Sequence, residues 1–234
     1  SLLKTYPSSA VLNVNLGQCY FKLGHIDQAI SHYTKATQYQ PKWEVGFAML
    51  GQVNSSQGNS DQAIEMFKKA IELNPEYAEA YNNMGIALQY KGKITEAIEA
   101  YEKALYIKPD YADAHYNMGV ISADQDMLER AIGLYEKAIS LEPNHFKAFN
   151  GLGNALADQG KPDQSITAYK KAISIKPDYV EALCNLGRVQ LDLGAFKASI
   201  KTFKQAIKIT PNHFDAYHGL GLTNFLHGNF EESV

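Results

Sequence analysis

The sequence predicts an all-α protein, a solenoid of antiparallel helix pairs, and two periodic series of residues support this prediction. Glycine and proline each recur every 34 residues along a chain of 234 residues. The register glycines are Gly17, Gly51, Gly85, Gly119, Gly153, Gly187 and Gly221, and the register prolines are Pro7, Pro41, Pro75, Pro109, Pro143, Pro177 and Pro211. A fixed period of this length indicates stacked structural repeats and excludes a single compact globule.

Each repeat is predicted to contain a first helix, a short turn and a second helix. In residues 78–111, apolar Tyr81, Met84 and Leu88 form one stripe of a first helix, and a second apolar stripe follows Gly92. A turn glycine can end the first helix because it has no Cβ to resist a positive φ. The turn glycines are Gly24, Gly58, Gly92, Gly160, Gly194 and Gly228.

The ends of the helices carry further signals. Pro109 stops a second helix, because proline has no amide donor and disfavours helix in the residue before it. Asp110 is the predicted N-cap of the next first helix. The equivalent N-cap positions of other repeats hold Asn144, Asp178 and Asn212. Two residues depart from the pattern: Asp126 replaces a turn glycine, and Pro162 begins a second helix, where proline is tolerated.

Small residues recur opposite large ones, which predicts an interdigitated core. A glycine within a helix costs roughly 1 kcal/mol relative to alanine, so its recurrence indicates that helices approach closely there. The large residues that recur in the second helices are Tyr33, Phe67, Tyr101, Tyr135, Tyr169 and Phe203. Alanine recurs beside them, and Ser165 and Ser199 replace it in the later repeats.

These motifs closely resemble the tetratricopeptide repeat family over essentially the whole chain. The expected full repeats are residues 10–43, 44–77, 78–111, 112–145, 146–179 and 180–213, with 1–9 ending a preceding repeat and 214–234 beginning another. The resemblance implies a right-handed superhelix whose first helices line a concave face, where peptides or helices bind. Because the first residue is Ser1 and both ends fall within repeats, we expect the chain to be an excerpt of a longer array.

The expected concave face is rich in asparagine. The candidate peptide-binding residues are Asn15, Asn82, Asn83, Tyr116, Asn117, Asn150, Asn154, Asn185 and Arg188. An asparagine carboxamide has a donor and an acceptor side by side, so it can pair with a peptide backbone whatever the side chains. The array also resembles the repeat arm of the O-linked N-acetylglucosamine transferases. The alternative is that asparagine is common at these positions of the repeat without any role in binding.

Acidic residues give a second indication about the ligand. Glu79, Asp113, Glu181 and Asp215 lie in the first turns of first helices, and Asp124, Asp158 and Asp192 lie near their ends. If they share one groove, they favour a basic or neutral ligand; otherwise, the first four complement the helix dipole. The carboxylate clamp of repeat proteins that bind chaperone tails is not expected, because no lysine lies three residues before a register glycine.

Composition argues against several other functions. The net charge of −3 disfavours nucleic-acid binding. No run of 18 apolar residues predicts a membrane span. Cys19 and Cys184 are five repeats apart, so neither a disulfide nor a shared metal site is expected, and His145 and His213 are interpreted as packing residues in turns. We therefore expect no catalytic site, cofactor or metal, and a cytoplasmic location, although a signal peptide remains open.

The sequence favours a protein–protein interaction scaffold that binds peptide or protein segments of unknown identity in its groove. The alternative is the substrate-recognition arm of a larger glycosyltransferase or sulfotransferase whose catalytic domain lies outside this chain. A third possibility is end-to-end self-association through apolar faces at the ends of the array.

Overall fold

A computed structural model describes residues 9–232, with side chains described for residues 9–228. These residues form thirteen helices and no strand. The helices are α1 Ala10–Lys22, α2 Ile26–Tyr39, α3 Glu44–Ser56, α4 Ser60–Leu73, α5 Ala78–Tyr90, α6 Ile94–Ile107, α7 Ala112–Asp124, α8 Leu128–Leu141, α9 Phe146–Asp158, α10 Pro162–Ile175, α11 Val180–Asp192, α12 Phe196–Ile209 and α13 Phe214–Glu232. Odd-numbered helices are the first helices of the repeats, and even-numbered helices are the second.

The chain divides into two compact units, and the division falls within α7, after Ala114. Unit 1 contains α1 to α6, and unit 2 begins at His115 and contains α8 to α13. In each unit, helices that follow one another in the chain pack together. Consecutive first helices also touch, as α1 and α3 do in unit 1 and α11 and α13 do in unit 2, whereas no comparable contact joins second helices in the described part of either unit. The first helices therefore lie on the inner side of each unit.

Close contact between register glycines and large aromatic residues is confirmed. A Cβ built on Gly85 would lie 2.6 Å from Cε1 of Tyr101, and one on Gly153 would lie 2.5 Å from Cε1 of Tyr169. Both rings are fully buried. The serines that replace alanine in the later repeats are also explained, since the buried hydroxyl of Ser165 donates to the carbonyl oxygen of Gly153 at 2.7 Å.

The turns follow the prediction except at one glycine. Five turn glycines adopt positive φ, and Asp126 takes the same conformation with φ of 59°. Pro162 is the first residue of α10, as predicted. The predicted turn at Gly228 is wrong, because α13 continues through it to Glu232. A single glycine permits a turn without forcing one, because it costs only about 1 kcal/mol inside a helix relative to alanine.

The predicted N-caps are also wrong, by one residue. The N-cap of α9 is His145 and not Asn144, and that of α11 is Tyr179 and not Asp178. Likewise, α7 begins two residues after Asp110 and α13 two residues after Asn212. The reason is a β-turn that holds the Pro-Asp or Pro-Asn pair, as in the hydrogen bond from the Tyr179 amide to the Lys176 carbonyl oxygen at 3.1 Å.

Candidate functional site

The surface formed by the first helices, called here the first-helix face, carries an open pocket in unit 1. The pocket has a volume of about 690 Å³. It is lined by Phe21, Gln52, Ser55, Ser56, Gly58, Ser60, Phe67, Asn83, Ile86 and Tyr90. None of these lining residues is charged. Tyr90 is 81% exposed, so this aromatic ring has little of its surface covered.

Two carboxamides line this unit 1 pocket. Gln52 of α3 is exposed, and Asn83 of α5 is half-buried. Asn82 is only 2% exposed, and its Nδ2 donates to Oδ1 of Asn83 at 3.3 Å. Asn82 is thus placed to orient Asn83, whose own Nδ2 group is the one that can donate to a ligand. Asn15 is exposed on α1, apart from the pocket lining.

In unit 2, three of the predicted asparagines come together as an amide cluster formed by Asn150, Asn154 and Asn185. Nδ2 of Asn185 donates to Oδ1 of Asn150 at 3.1 Å and to Oδ1 of Asn154 at 3.0 Å. Arg188 closes one side of the cluster, because its Nη2 donates to Oδ1 of Asn185 at 2.9 Å. The predicted residues of α9 and α11 thus form one hydrogen-bonded group.

A buried tyrosine supports this amide cluster from below. The hydroxyl of Tyr169 donates to Oδ1 of Asn154 at 2.7 Å. Burial raises the pKa of Tyr169 to about 12, so the hydroxyl keeps its proton and remains a donor. This hydrogen bond was not predicted, because Tyr169 was interpreted only as a core residue. The presence of tyrosine rather than phenylalanine at this recurring position was the available signal.

A smaller cavity of about 200 Å³ adjoins the amide cluster on the first-helix face of unit 2. Its lining includes Asn185 and Arg188 of α11 and Asp215, His218 and Leu222 of α13. Arg188 is exposed, so its guanidinium can reach a ligand. Asp215 places one carboxylate of the predicted acidic set in this cavity.

The other predicted acids occupy different settings. Oε1 of Glu79 lies 3.5 Å from Nζ of Lys108, so this carboxylate is paired with a lysine on the surface. The late acids Asp124, Asp158 and Asp192 are exposed. The pKa of Tyr169 is raised mainly by burial, with a smaller contribution from the charge of Asp158.

The remaining predicted residues, Tyr116 and Asn117, lie half-buried on α7. The ring of Tyr116 packs against His145, with 5.0 Å between ring centroids. His145 is buried, and its Nδ1 accepts from the amide of Ala148 at 3.1 Å, so its role in the turn is confirmed and extended to capping α9.

Two residues before the register glycine, several repeats have asparagine, as at Asn83 and Asn185, but two repeats have Gly151 and Gly219, and packing explains these glycines. At Gly151, a Cβ would lie 2.7 Å from Cζ of Tyr135, a residue of the preceding repeat. Gly219 stands in the same relation to Phe203. An asparagine at either position would therefore displace a buried aromatic ring.

Chemically reactive groups are sparse on this face. Burial raises the pKa of the Cys184 thiol to about 11, so it is held as the thiol and is a poor nucleophile at neutral pH. Its Sγ lies 3.8 Å from Nδ1 of His213. Across the described residues, no group of His, Cys, Asp and Glu is arranged to hold a metal ion. Nor does any described helix have the length and apolar character needed to cross a membrane.

Comparison with known families now defines the class of protein. Family models described as TPR repeat match residues 51–92, 88–126, 153–194 and 187–228. Models described as Tetratricopeptide repeat match residues 11–42, 112–145 and 134–167. The chain therefore belongs to the tetratricopeptide repeat family. This membership supports its interpretation as a protein-interaction scaffold. A search of curated protein sequences finds no match.

Solved structures show the same fold. The Cut9–Hcn1 hetero-tetramer of the APC/C is 19% identical with a TM-score of 0.86, over 95% of this chain and 44% of that chain. YrrB, described as a TPR protein with an unusual peptide-binding site, is 24% identical with a TM-score of 0.59, over 80% of this chain and 96% of that chain. MamA is 29% identical with a TM-score of 0.59, over 68% of this chain and 94% of that chain. The predicted all-α solenoid of helix pairs is confirmed, and this chain spans less than half of the Cut9–Hcn1 chain.

Proposed function

We propose that this chain is an interaction scaffold that binds extended peptide segments on the first-helix faces of its units. One observation carries the proposal: carboxamides stand beside uncovered apolar side chains on the same face. In unit 1 these are Gln52 and Asn83 beside Ile86 and Tyr90. Carboxamides can hold a peptide backbone without reading its sequence, while the apolar pocket accepts a side chain.

The energies of these contacts suggest modest affinity at each point. Burying one large apolar side chain contributes about 1.5–3 kcal/mol, and each hydrogen bond adds roughly 0.5–1.5 kcal/mol. Ordering the peptide and docking it oppose these gains. A single pocket is therefore expected to bind weakly, and a longer segment that contacts several repeats is expected to bind more tightly.

The proposed contact residues are those on the first-helix faces, and burial divides their roles. Asn15, Asn83, Tyr116, Asn117, Asn154, Asn185 and Arg188 are proposed to face the peptide or to border its path. Asn82 and Asn150 are at most 9% exposed, so we propose that they hold neighbouring carboxamides in place. The peptide-binding site named for YrrB supports this use of the fold.

The proposal is tested by selecting peptides from a random display library on the purified chain and measuring their dissociation constants by fluorescence anisotropy. For peptides that protect the unit 1 pocket, the double variant Asn83→Ala with Tyr90→Ala should weaken binding at least tenfold. Gln38→Ala, which removes an exposed carboxamide from the second helix α2, is the matched control and should leave affinity unchanged. Equal affinity of the pocket variant and the wild type would contradict the proposal.

Two further hypotheses from the sequence remain predictions. The matches reported above give no support to a transferase arm, and a lack of enzymatic activity stays an expectation. Self-association would use the apolar side chains that α13 exposes, among them Phe214, Tyr217 and Phe225. Light scattering at increasing protein concentration would reveal it as a rise in mass.

A further inference from the structure

The asparagines of the amide cluster in unit 2 differ in which of their hydrogen-bonding groups are already used. Oδ1 of Asn154 accepts from both the Tyr169 hydroxyl and Nδ2 of Asn185, so its two lone pairs are occupied. Asn185 uses both hydrogens of Nδ2 on its two asparagine neighbours, and its Oδ1 accepts from Arg188. Donor-and-acceptor pairing of either residue with a peptide would therefore require breaking bonds within the cluster.

We propose that Tyr169 is a positioning residue that fixes the Asn154 carboxamide with its Nδ2 group available to the ligand. The first-helix face of unit 2 then offers N–H donors and binds a peptide through its backbone carbonyl oxygens rather than through its N–H groups. This inference rests on the proposed function, since it states which atoms of the bound peptide unit 2 contacts.

The position of the Tyr169 hydroxyl is fixed by packing. The ring is 1% exposed and lies against Gly153, where no side chain larger than hydrogen fits. Because the ring is held tightly, its hydroxyl group has one fixed position. The hydrogen bond from this hydroxyl to Asn154 is short, at 2.7 Å. Turning the Asn154 carboxamide over would set its NH₂ group against the Asn185 NH₂ group and lose that hydrogen bond, and it would reverse the bond to the Tyr169 hydroxyl.

Arg188 reinforces the donor character of this surface. Its guanidinium has five N–H donors and no acceptor, and only the bond to Asn185 engages it among hydrogen bonds of the described residues. It is exposed, so the other donors face solvent or ligand. With Nδ2 of Asn154, it forms a set of donors that matches carbonyl oxygens.

The charges around the amide cluster favour a neutral carbonyl over a carboxylate as the acceptor group of the ligand. The charge of Asp158 acts on Tyr169, and Asp215 lines the cavity together with Arg188. Asp192 is exposed at the end of the same helix as Arg188. These carboxylates would repel an anionic group, whereas a peptide carbonyl or a peptide with basic side chains meets no such penalty.

The second and third repeats, both in unit 1, lack this arrangement. Phe67 takes the place of Tyr169 in the second repeat and has no hydroxyl, while Gln52 takes the place of Asn154. In the third repeat, the hydroxyl of Tyr101 donates to Oε1 of Gln89 at 3.1 Å, and the position of Asn154 holds Ile86. Because phenylalanine already occupies this core position in two repeats, Tyr169→Phe is expected to fold.

The test compares two probes on the full chain. The first is the capped peptide acetyl-AAKAAKAA-amide, and the second replaces its two central alanines with L-lactate, which removes two N–H donors and keeps the carbonyls. Binding is followed by the side-chain NH₂ resonances of Asn154 in ¹⁵N–¹H spectra. The measured quantity is the ratio of the two dissociation constants, lactate probe over peptide probe.

We expect Tyr169→Phe to raise this ratio at least threefold over the wild type. Once Asn154 Oδ1 loses the tyrosine hydroxyl, the carboxamide can accept from a peptide N–H, which only the first probe has. Tyr33→Phe, the same change at the equivalent core position of unit 1, should leave the ratio unchanged. Asn154→Ala should weaken both probes.

Several outcomes would overturn the inference. If Tyr169→Phe weakens both probes equally, the tyrosine acts only through stability, and if Asn154→Ala has no effect, Asn154 is not a contact. In both cases binding persists and the proposed function stands. If neither probe binds the wild type or shifts the Asn154 resonances, the proposed function fails in unit 2 and the inference falls with it.

Discussion

The first-helix faces of the two units share their packing and differ in chemistry. Unit 1 has an uncharged pocket in which Gln52 and Asn83 stand beside the exposed ring of Tyr90. Unit 2 has carboxamides that bond to one another, together with Arg188 and several carboxylates. In our proposal, part of this difference comes from the buried Tyr169, whose hydroxyl donates to Asn154, whereas Phe67 at the equivalent position of unit 1 has no hydroxyl. A repeat array can thus vary its recognition from core positions without altering the fold.

The shared packing is tested by the largest expected effects on stability. Gly51→Ala in unit 1 and Gly153→Ala in unit 2 each place a Cβ within 2.6 Å of a buried ring. Overpacking of this kind costs about 1–3 kcal/mol, which outweighs the helix propensity gained. We expect both variants to unfold at lower urea concentration, as measured by circular dichroism.

The matched control for these glycine variants is Gly133→Ala. Gly133 is exposed within α8, and no atom lies within 4 Å of the Cβ position. Here alanine should raise the free energy of unfolding by about 1 kcal/mol, because only helix propensity changes. A similar loss at all three glycines would show that the aromatic contacts are not the cause.

A smaller effect separates the turns of the two units. Asp126 is the one described residue other than glycine with positive φ, at 59°. We expect Asp126→Gly to stabilise unit 2 by about 0.5–1 kcal/mol, because glycine adopts this conformation without a Cβ penalty. Gly92→Ala at the equivalent turn of unit 1, with φ of 74°, should destabilise by a similar amount. Thermal unfolding measures both, and an unchanged midpoint for Asp126→Gly would show that the aspartate side chain compensates the strain.

The periodic parts of the fold could be predicted because each depends on residues within one repeat. Register glycines match large rings 16 residues later, as Gly153 matches Tyr169, and turn glycines need only a local positive φ. The N-caps were misplaced because a β-turn hydrogen bond sets where each first helix begins. The turn at Gly228 was wrongly predicted because a glycine permits a turn and does not force one.

The candidate site was predictable in outline and not in its bonding. The asparagines were found from their position in the repeat. Their pairing depends on contacts between residues in different repeats, such as Asn185 with Asn150 and Asn154. The unit 1 pocket likewise depends on several repeats, since Phe21 of α1 and Tyr90 of α5 line it together with residues of α3 and α4. Periodicity shows which residues share a face but not which atoms remain available on it.

The smallest expected effect is a pH dependence confined to unit 1. His32 stacks on Tyr20, and its Nδ1 lies 2.9 Å from Oδ1 of the buried Asn13, which accepts because Asn13 donates its own Nδ2 to the Ser9 carbonyl. Burial, together with the charge of Lys35, lowers the pKa of His32 below its usual 6.5. The unfolded chain then binds this proton more readily. The contribution of His32 to stability is therefore present above pH 6.5 and is lost as the pH falls through the lowered pKa.

We expect His32→Gln, which keeps a donor but does not titrate, to reduce the fall in unfolding midpoint between neutral and mildly acidic pH by about 1 °C. Hydrogen exchange should locate the change in α1 and α2; an equal change in α11 and α12 would contradict this assignment.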